Sequence, residues 1–414
     1  MPASFVPFRA TTLGALLVVG WMVTLAAAQE KVTPLAVDID FAGGSARVEG
    51  IDQAARTIRL LPSLHTDRGW ICWWYLKVTG IVPGETLSLD VGEGVWATPD
   101  SATYSLDGQH WLHTPAGKRD GKRITYSLKL DAREAWFAWG PPFVPADAGQ
   151  LVAETAKKSP HATAFELCRT REDRTVPALR VSQPGAADKD KFGIWIEARQ
   201  HAWESGSSWV ARGFTEWLIS DDPRAETLRK KSQITIVPIM DIDNVAMGAG
   251  GKDQKPQDHN RDWTDEPYHR SVAAAQREII RMNESGGFDL FVDLHNPGPG
   301  DKQPFYFVSP RETLTELGKD NLTSFIAANR DEMTGPLKFD ERVRESGANY
   351  DKNWQAISKN WVSKHTRDHV VSLTLETAWN TPESTADNYR RVGREMGLAI
   401  ERYLRTARRR ADTK

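Results

Sequence analysis

The chain has little cysteine: two residues in 414, Cys72 and Cys168. Two thiols make neither a disulfide framework nor a cysteine-rich zinc site. No bond between them is expected, since one falls in each of the two domains outlined below. An excess of charge is also missing: 53 Lys plus Arg face 55 Asp plus Glu, a formal net charge of −2. That balance excludes recruitment of nucleic acid or an anionic membrane by global charge. The longest apolar run, from Leu13 to Leu25, has 13 residues, short of the roughly 20 that span a bilayer. HExxH and GxSxG are both absent, which removes the common helical zinc-protease arrangement and the serine-hydrolase elbow. GAGGKD misses the phosphate-loop pattern, with Ala246 in place of its first Gly and Asp253 after the Lys. No internal repeat or low-complexity tract is seen.

Tryptophan, by contrast, is abundant, with 16 copies against 14 Phe and 8 Tyr. Large aromatic cores account for this, although a glycan- or peptide-binding surface has the same composition. With 40% hydrophobic and 26% charged residues the chain can bury real cores, and its length suits two domains. Residues 1–28 read as a secretory signal peptide. Arg9 is the only charge before Glu30, the Leu13–Leu25 run follows, and Ala26-Ala27-Ala28 offers a cleavage site before Gln29. Export to the periplasm or the extracellular space is the expectation.

Residues 29–150 read as a β-sandwich. Short segments such as TIRLLPS, WICWWYLKVTG, ETLSLDVG and RITYSLKL alternate β-branched or aromatic residues with polar ones between turn residues. Gly140-Pro141-Pro142 closes this part, and Pro145 to about Ala156 reads as a connector into the first helix. Residues 151–414 change character. Nearly continuous apolar runs (ALRVSQ, FGIWIEAR, QITIVPIMDI, FDLFVDLH, VVSLTLET) alternate with amphipathic stretches, the last from Thr385 to Arg410. That pattern predicts an α/β domain with a mixed, mainly parallel sheet covered by helices on both faces. Functional groups in such sheets gather at the carboxyl ends of strands.

Three of the runs end in chemistry. FGIWIEAR is followed by Gln200 and then His201-Ala-Trp-Glu204, the only His-x-x-Glu in the chain. An imidazole and a carboxylate at that spacing can close on one metal ion, leaving room for a distant ligand and water. FDLFVDLH supplies that ligand as His295. Two His and one carboxylate describe an open, catalytic zinc site, one ion per chain. SLTLETAW places Glu376 among apolar neighbours, where a carboxylate is costly unless used; a general base acting on zinc-activated water uses it. Two other clusters read as structural: His365-x-x-Asp368-His369 as solvated surface, and His110-x-x-His113 as a strand or turn pair. The basic tail (Arg405, Arg408, Arg409, Arg410) reads as a solvated helix end.

In this arrangement the chain resembles the zinc carboxypeptidases of the carboxypeptidase A superfamily, most of all the cytosolic carboxypeptidase branch, which carries a β-sandwich before its catalytic domain. ARQHAWESGSSW resembles the first ligand motif, PQDHNRDW the substrate-binding motif, FDLFVDLH the third ligand and LTLETAWN the catalytic Glu; AWFAWGPPF resembles the end of that branch's sandwich. The resemblance implies His201, Glu204 and His295 as zinc ligands, Glu376 as base, and Asn260 and Arg261 as the site of the substrate's terminal carboxylate. It implies Asp258 as the acceptor behind His201. Ala202 and Trp203 stand where the family usually has Pro-Gly or Ser-Arg. Lys252 is the candidate for polarising the scissile carbonyl, and Tyr350 or Trp354 for the tyrosine that closes over substrate. A secreted enzyme cutting a peptide-type amide beside a free carboxylate is the expected function. Competing readings are a zinc amidase acting on peptidoglycan stem peptides or N-acyl amino acids, and a binding module that recognises ligands through its sandwich.

Overall fold

The computed structural model of the protein describes residues 1–7, 33–92, 98–185 and 190–409. From residue 8 onward, the segment read as a signal peptide lies outside the described residues. The chain divides into two units, Met1–Val32 and Thr33–Lys414, and all the elements described belong to the second. Among the described residues no helix is long and apolar enough to cross a membrane.

Ten strands come first: β1 Ala36–Asp38, β2 Arg47–Asp52, β3 Thr57–Leu61, β4 Tyr75–Thr79, β5 Thr86–Gly92, β6 Thr103–Ser105, β7 Leu112–His113, β8 Lys118–Asp120, β9 Arg123–Lys129 and β10 Glu134–Ala138. They form two sheets, ordered β1-β4-β10-β6-β7 and β2-β3-β5-β9-β8. Burial alternates along β3, β5 and β9 as the sequence does, so Ile58, Leu60, Leu87, Leu89 and Tyr126 point inward. Trp74 and Tyr126 bring the two sheets together, their rings 6.2 Å apart.

The α/β part follows with α1 Pro145–Lys158, β11 Ala162–Arg169, β12 Thr175–Val181, β13 Phe192–Ala198, α2 Ser205–Leu218, α3 Pro223–Lys231, β14 Ser232–Val237, α4 Ile242–Met247, α5 Arg270–Glu284, β15 Leu290–His295, β16 Phe305–Val308, α6 Glu316–Glu332, β17 Val343–Glu345, α7 Ser358–His365, β18 Val371–Glu376 and α8 Ala386–Tyr403. Its eight strands make one sheet, β11-β12-β14-β13-β15-β18-β16-β17. The central four, β14, β13, β15 and β18, run parallel. Strands β15 and β18 are buried at every position, as expected where helices and sheet enclose both faces.

Three expectations need correction. The stretch from Pro145, read as a connector, is helix α1: proline suits the first helical position, Asp147 accepts the Val144 N–H at 2.7 Å, and Ala148, Leu151, Val152 and Thr155 form a buried face. The last helix ends at Tyr403 rather than Arg410. His369, read as surface, is buried, its Nε2 lying 3.2 Å from the Phe288 carbonyl and 3.3 Å from Asp289. His110 is in an exposed turn against Asp107 and His113 lies in β7. Cys72 and Cys168 are both free thiols.

Candidate metal centre

Strand β13 delivers the first two donors through a sharp reversal. Arg199 adopts φ 61°, a left-handed conformation uncommon for a non-glycine residue. Its buried guanidinium then donates to the Ala202 carbonyl through Nε at 2.9 Å and to the Phe143 carbonyl at 3.2 Å. The His201–Glu204 turn is thereby held from beneath, and α2 begins immediately after Glu204. The third donor needs no special turn, because His295 is the last residue of β15, next to β13 in the sheet. One strand further, Glu376 ends β18 directly opposite His295 in the ladder.

The donor atoms converge. His201 Nδ1 lies 2.8 Å from Glu204 Oε1, and His295 Nδ1 lies 2.7 Å from Glu204 Oε2. One ligand atom from each of the three residues falls within 4.8 Å of the others. Both imidazoles turn Nδ1 inward, and the outward Nε2 atoms are held by carboxylates: His201 by Asp258 at 3.2 Å and His295 by Asp293 at 2.9 Å. Such partners fix ring orientation and raise ligand basicity. The oxygens of Asp258 also accept the backbone N–H groups of Asn260 and Asp253, each at 2.8 Å. Asp293 was missed in the sequence. It also accepts from Ser358 Oγ at 2.6 Å and from the Gln200 amide, which in turn accepts from Trp263 Nε1 at 2.8 Å.

The local field suits a cation. Glu204, Asp258, Asp293 and Glu376 are all buried around two imidazoles. Burial opposes charge on the histidines, yet Asp258 and Glu204 raise His201, and Asp293 and Glu204 raise His295 well above the ordinary imidazole range. Burial likewise opposes the Glu204 carboxylate, which His295 and His201 hold at about 2. Glu376 differs: burial first, and the neighbouring Glu204 and Asp293 carboxylates against His295 and His201, push it up to about 7. Its Oε2 has no hydrogen-bond partner among the described residues. Two imidazole nitrogens and a carboxylate, with a free buried carboxylate alongside, are a donor set that fits zinc with open positions.

The centre opens on a cleft of about 730 Å³ whose lining includes Trp203, Lys252, Asn260, Arg261 and Tyr350, but not Asp258 or Trp354. Lys252 Nζ lies 3.7 Å from Asp258. Asn260 is engaged within the protein, with Nδ2 3.1 Å from His295 Nε2 and Oδ1 accepting the Ser358 N–H at 2.9 Å. Arg261 is paired with Asp351 at 2.7 Å through Nε, not with Asp262 or Asp265, and donates from Nη1 to the Asn260 carbonyl at 2.8 Å. Tyr350, half exposed, packs on Phe307 with ring centroids 5.0 Å apart. The cleft also has walls the sequence did not reveal: Trp70 from the sandwich, and Arg344, Ser346, Lys359 and Thr374. Lys359 is fully buried and donates to Ser346 Oγ and, at 3.0 Å, to Asn360 Oδ1. No carboxylate ion pair to it is found among the described residues, and burial lowers its amine to about 7.

Three metal-ligating side chains gathered at the carboxyl ends of parallel strands, with a buried, unsatisfied carboxylate beside them, have the make-up of a metal-dependent hydrolase site. Residues 149–381 match the zinc carboxypeptidase family, and the chain belongs to that family, making it a zinc-dependent metallopeptidase. It is 26% identical over 293 residues to the uncharacterized protein ZMO1242 of Zymomonas mobilis, covering 69% of this chain and 73% of that one. Cytosolic carboxypeptidase 2 of Mus musculus is 29% identical over 279 residues (59% of this chain, 32% of that one). Cytosolic carboxypeptidase 1 of Danio rerio is 27% identical over 297 residues (61% and 26%). The chain thus spans about a third or less of these two cytosolic carboxypeptidases. Its fold is shared by the metallo-carboxypeptidase from Burkholderia cenocepacia, with TM-score 0.78 and 24% identity over 90% of this chain and 100% of that one. The metallo-carboxypeptidase from Pseudomonas aeruginosa shares it at TM-score 0.73 and 21% identity, with the same coverage.

Proposed function

We propose that the protein is an exported carboxypeptidase that removes a residue with an acidic side chain from the carboxyl end of a peptide. One observation carries this reading: the metal donors, the free oxygen of Glu376 and the cations Arg261 and Lys359 line a single cleft. His201, Glu204 and His295 would hold zinc, which when bound would supply the Lewis acidity that makes water a nucleophile near neutral pH. Glu376 takes a proton from the attacking water and gives it to the leaving amine, a role that a carboxyl group poised near pH 7 suits. Arg261 keeps its remaining Nη donors for the terminal carboxylate, since Asp351 occupies the Nε edge. In this reading Lys252, whose Nζ lies 3.7 Å from Asp258, polarises the scissile carbonyl, and Tyr350 covers the substrate. Lys359 supports the acidic preference, because a buried amine with no paired carboxylate favours a ligand that brings one. The charge-poor, apolar start of the chain before Gln29 supports export.

The test is turnover of a panel of blocked dipeptides by the mature chain, each offered as free acid and as carboxyl-terminal amide. The free acids should be cut at least about tenfold faster in kcat/KM, since the amide loses a charge-assisted contact. Equal rates on acid and amide would remove the carboxypeptidase reading and leave the amidase. Glu376→Gln should retain zinc and lose about 10²- to 10⁴-fold in kcat; activity within a few-fold of wild type would assign the base elsewhere.

A further inference from the structure

The loop between β3 and β4 carries Trp70 from the sandwich into the cleft at the metal centre. Between β3 and β4, residues 67–70 lie against residues 251–255 of the α/β part and bond to them as a strand would. The Trp70 N–H donates to the Lys252 carbonyl at 2.9 Å, the Gly251 N–H to the Arg68 carbonyl at 2.8 Å, and the Lys255 N–H to the Asp67 carbonyl at 2.8 Å. Two glycines permit this approach. A Cβ on Gly69 would stand 2.4 Å from the Lys252 carbonyl oxygen, and one on Gly250 would stand 2.1 Å from that of Trp70. The Trp70 ring is fixed as well, with Nε1 donating to Asp253 at 2.7 Å.

That ring joins the wall of the cleft. It lies nearly parallel to Trp203, at 24° with centroids 6.2 Å apart, and Trp203 is braced edge-on by Trp139 at 5.2 Å and Trp379 at 6.1 Å. Sheet order divides the cleft into two flanks. Trp203, between the donors His201 and Glu204 past β13, and the loop bearing Lys252 and holding Trp70, past β14, form one flank. Thr374 on β18, Phe305 and Phe307 on β16 and Arg344 on β17 lie on the other, the side to which Lys359 belongs through the bond from Ser372 of β18 to its carbonyl. Asn260 and Arg261, although they follow β14, reach this second side, Asn260 Oδ1 accepting the Ser358 N–H at 2.9 Å and Arg261 pairing with Asp351. A leaving residue seated by Lys359 therefore directs the acyl part of the substrate along the two indoles.

We infer that Trp70, contributed by the sandwich, forms with Trp203 an aromatic wall that selects a large apolar or aromatic side chain on the acyl side of the scissile bond. This rests on the carboxypeptidase reading above. The sandwich is then a built-in part of the active site. An indole face gains far more contact from a phenyl group than from a hydrogen atom, so the wall discriminates by burial and ring packing.

Blocked dipeptides ending in glutamate, with Phe, Leu or Gly before it, test this on the full mature chain. Wild type should prefer Phe to Gly by about tenfold or more in kcat/KM, mainly through KM. Trp70→Ala should cut that Phe:Gly ratio at least about fivefold, while Trp70→Phe, which keeps a ring but loses the Asp253 bond, retains most of it. A residue that only holds the Lys252 loop would slow all three substrates alike and leave the ratio unmoved, and that result overturns the inference. Should Trp70→Ala fail to hold zinc, Trp70→Leu reads the same question, with the Phe:Leu ratio expected to fall. Equal turnover of Phe and Gly substrates by wild type overturns the wall alone. Absence of turnover on all three overturns the carboxypeptidase reading and the wall with it.

Discussion

Lys359→Met is the substitution whose outcome the structure specifies most closely. Methionine keeps most of the length and volume of lysine and removes its charge. A protonated lysine has three N–H donors; Ser346 and Asn360 take two, so one remains for an acidic side chain of the substrate. A hydrogen bond to a charged group contributes roughly 1.5–3 kcal/mol, and about 1.4 kcal/mol is a factor of ten. Wild type should therefore prefer glutamate to the neutral, isosteric glutamine at the cleaved end by about 10- to 150-fold in kcat/KM. Lys359→Met should bring that ratio close to one. The preference should also depend on pH in a definite direction. Burial lowers the free enzyme's amine to about 7, so it is charged below that pH and neutral above it. Discrimination should fall as pH rises through about 7 in wild type and stay flat in the variant. Folding stability shows the same titration with its own sign. The unfolded chain keeps the proton up to the ordinary lysine range, so wild-type stability relative to the variant should rise from about pH 7 toward 10. A glutamate-to-glutamine ratio that is identical in both proteins, with zinc content intact, would refute the reasoning.

Replacing His295 with Ala should strip most of the zinc from a protein that otherwise holds about one ion per chain by metal analysis; full occupancy in that variant would exclude His295 as a ligand. Asp293→Asn, which weakens the grip on the outer nitrogen of His295, should lower zinc affinity about 10- to 100-fold in competition with a chelator, and an unchanged affinity would reduce Asp293 to a packing role. Arg261→Ala should cost at least about tenfold on free-acid substrates and little more on their amides, because the partner is already gone. A parallel loss on both would mean that Arg261 serves mainly its ion pair with Asp351.

The two halves of the fold and the residues that meet at the candidate metal centre could be read from the sequence because each depends on short-range rules. Alternation with period two wrote the sandwich strands, continuous apolar runs wrote β13, β15 and β18, and three of the four residues at the centre stand at or just past a strand end. His201 and Glu204 were bound to meet once the chain turned between them. Asp293 was also legible: residues i and i+2 of a strand share a face, so an Asp two positions before His295 belongs beside its ring. Helix α1 hid because its alanine-rich, proline-led start carries few apolar residues. What the sequence could not write is the cleft around the metal. Lys359 sits in a short helix rich in polar residues, and only the packing of that helix against β18 buries its amine. Arg261 found Asp351, distant in sequence, in place of the nearby Asp262 and Asp265. Trp70 reached the centre through backbone bonds between two loops that no periodicity connects. Local geometry follows from neighbours along the chain, whereas charge burial and the walls of a cavity depend on which distant segments the folded sheet brings together, and tertiary structure alone decided those.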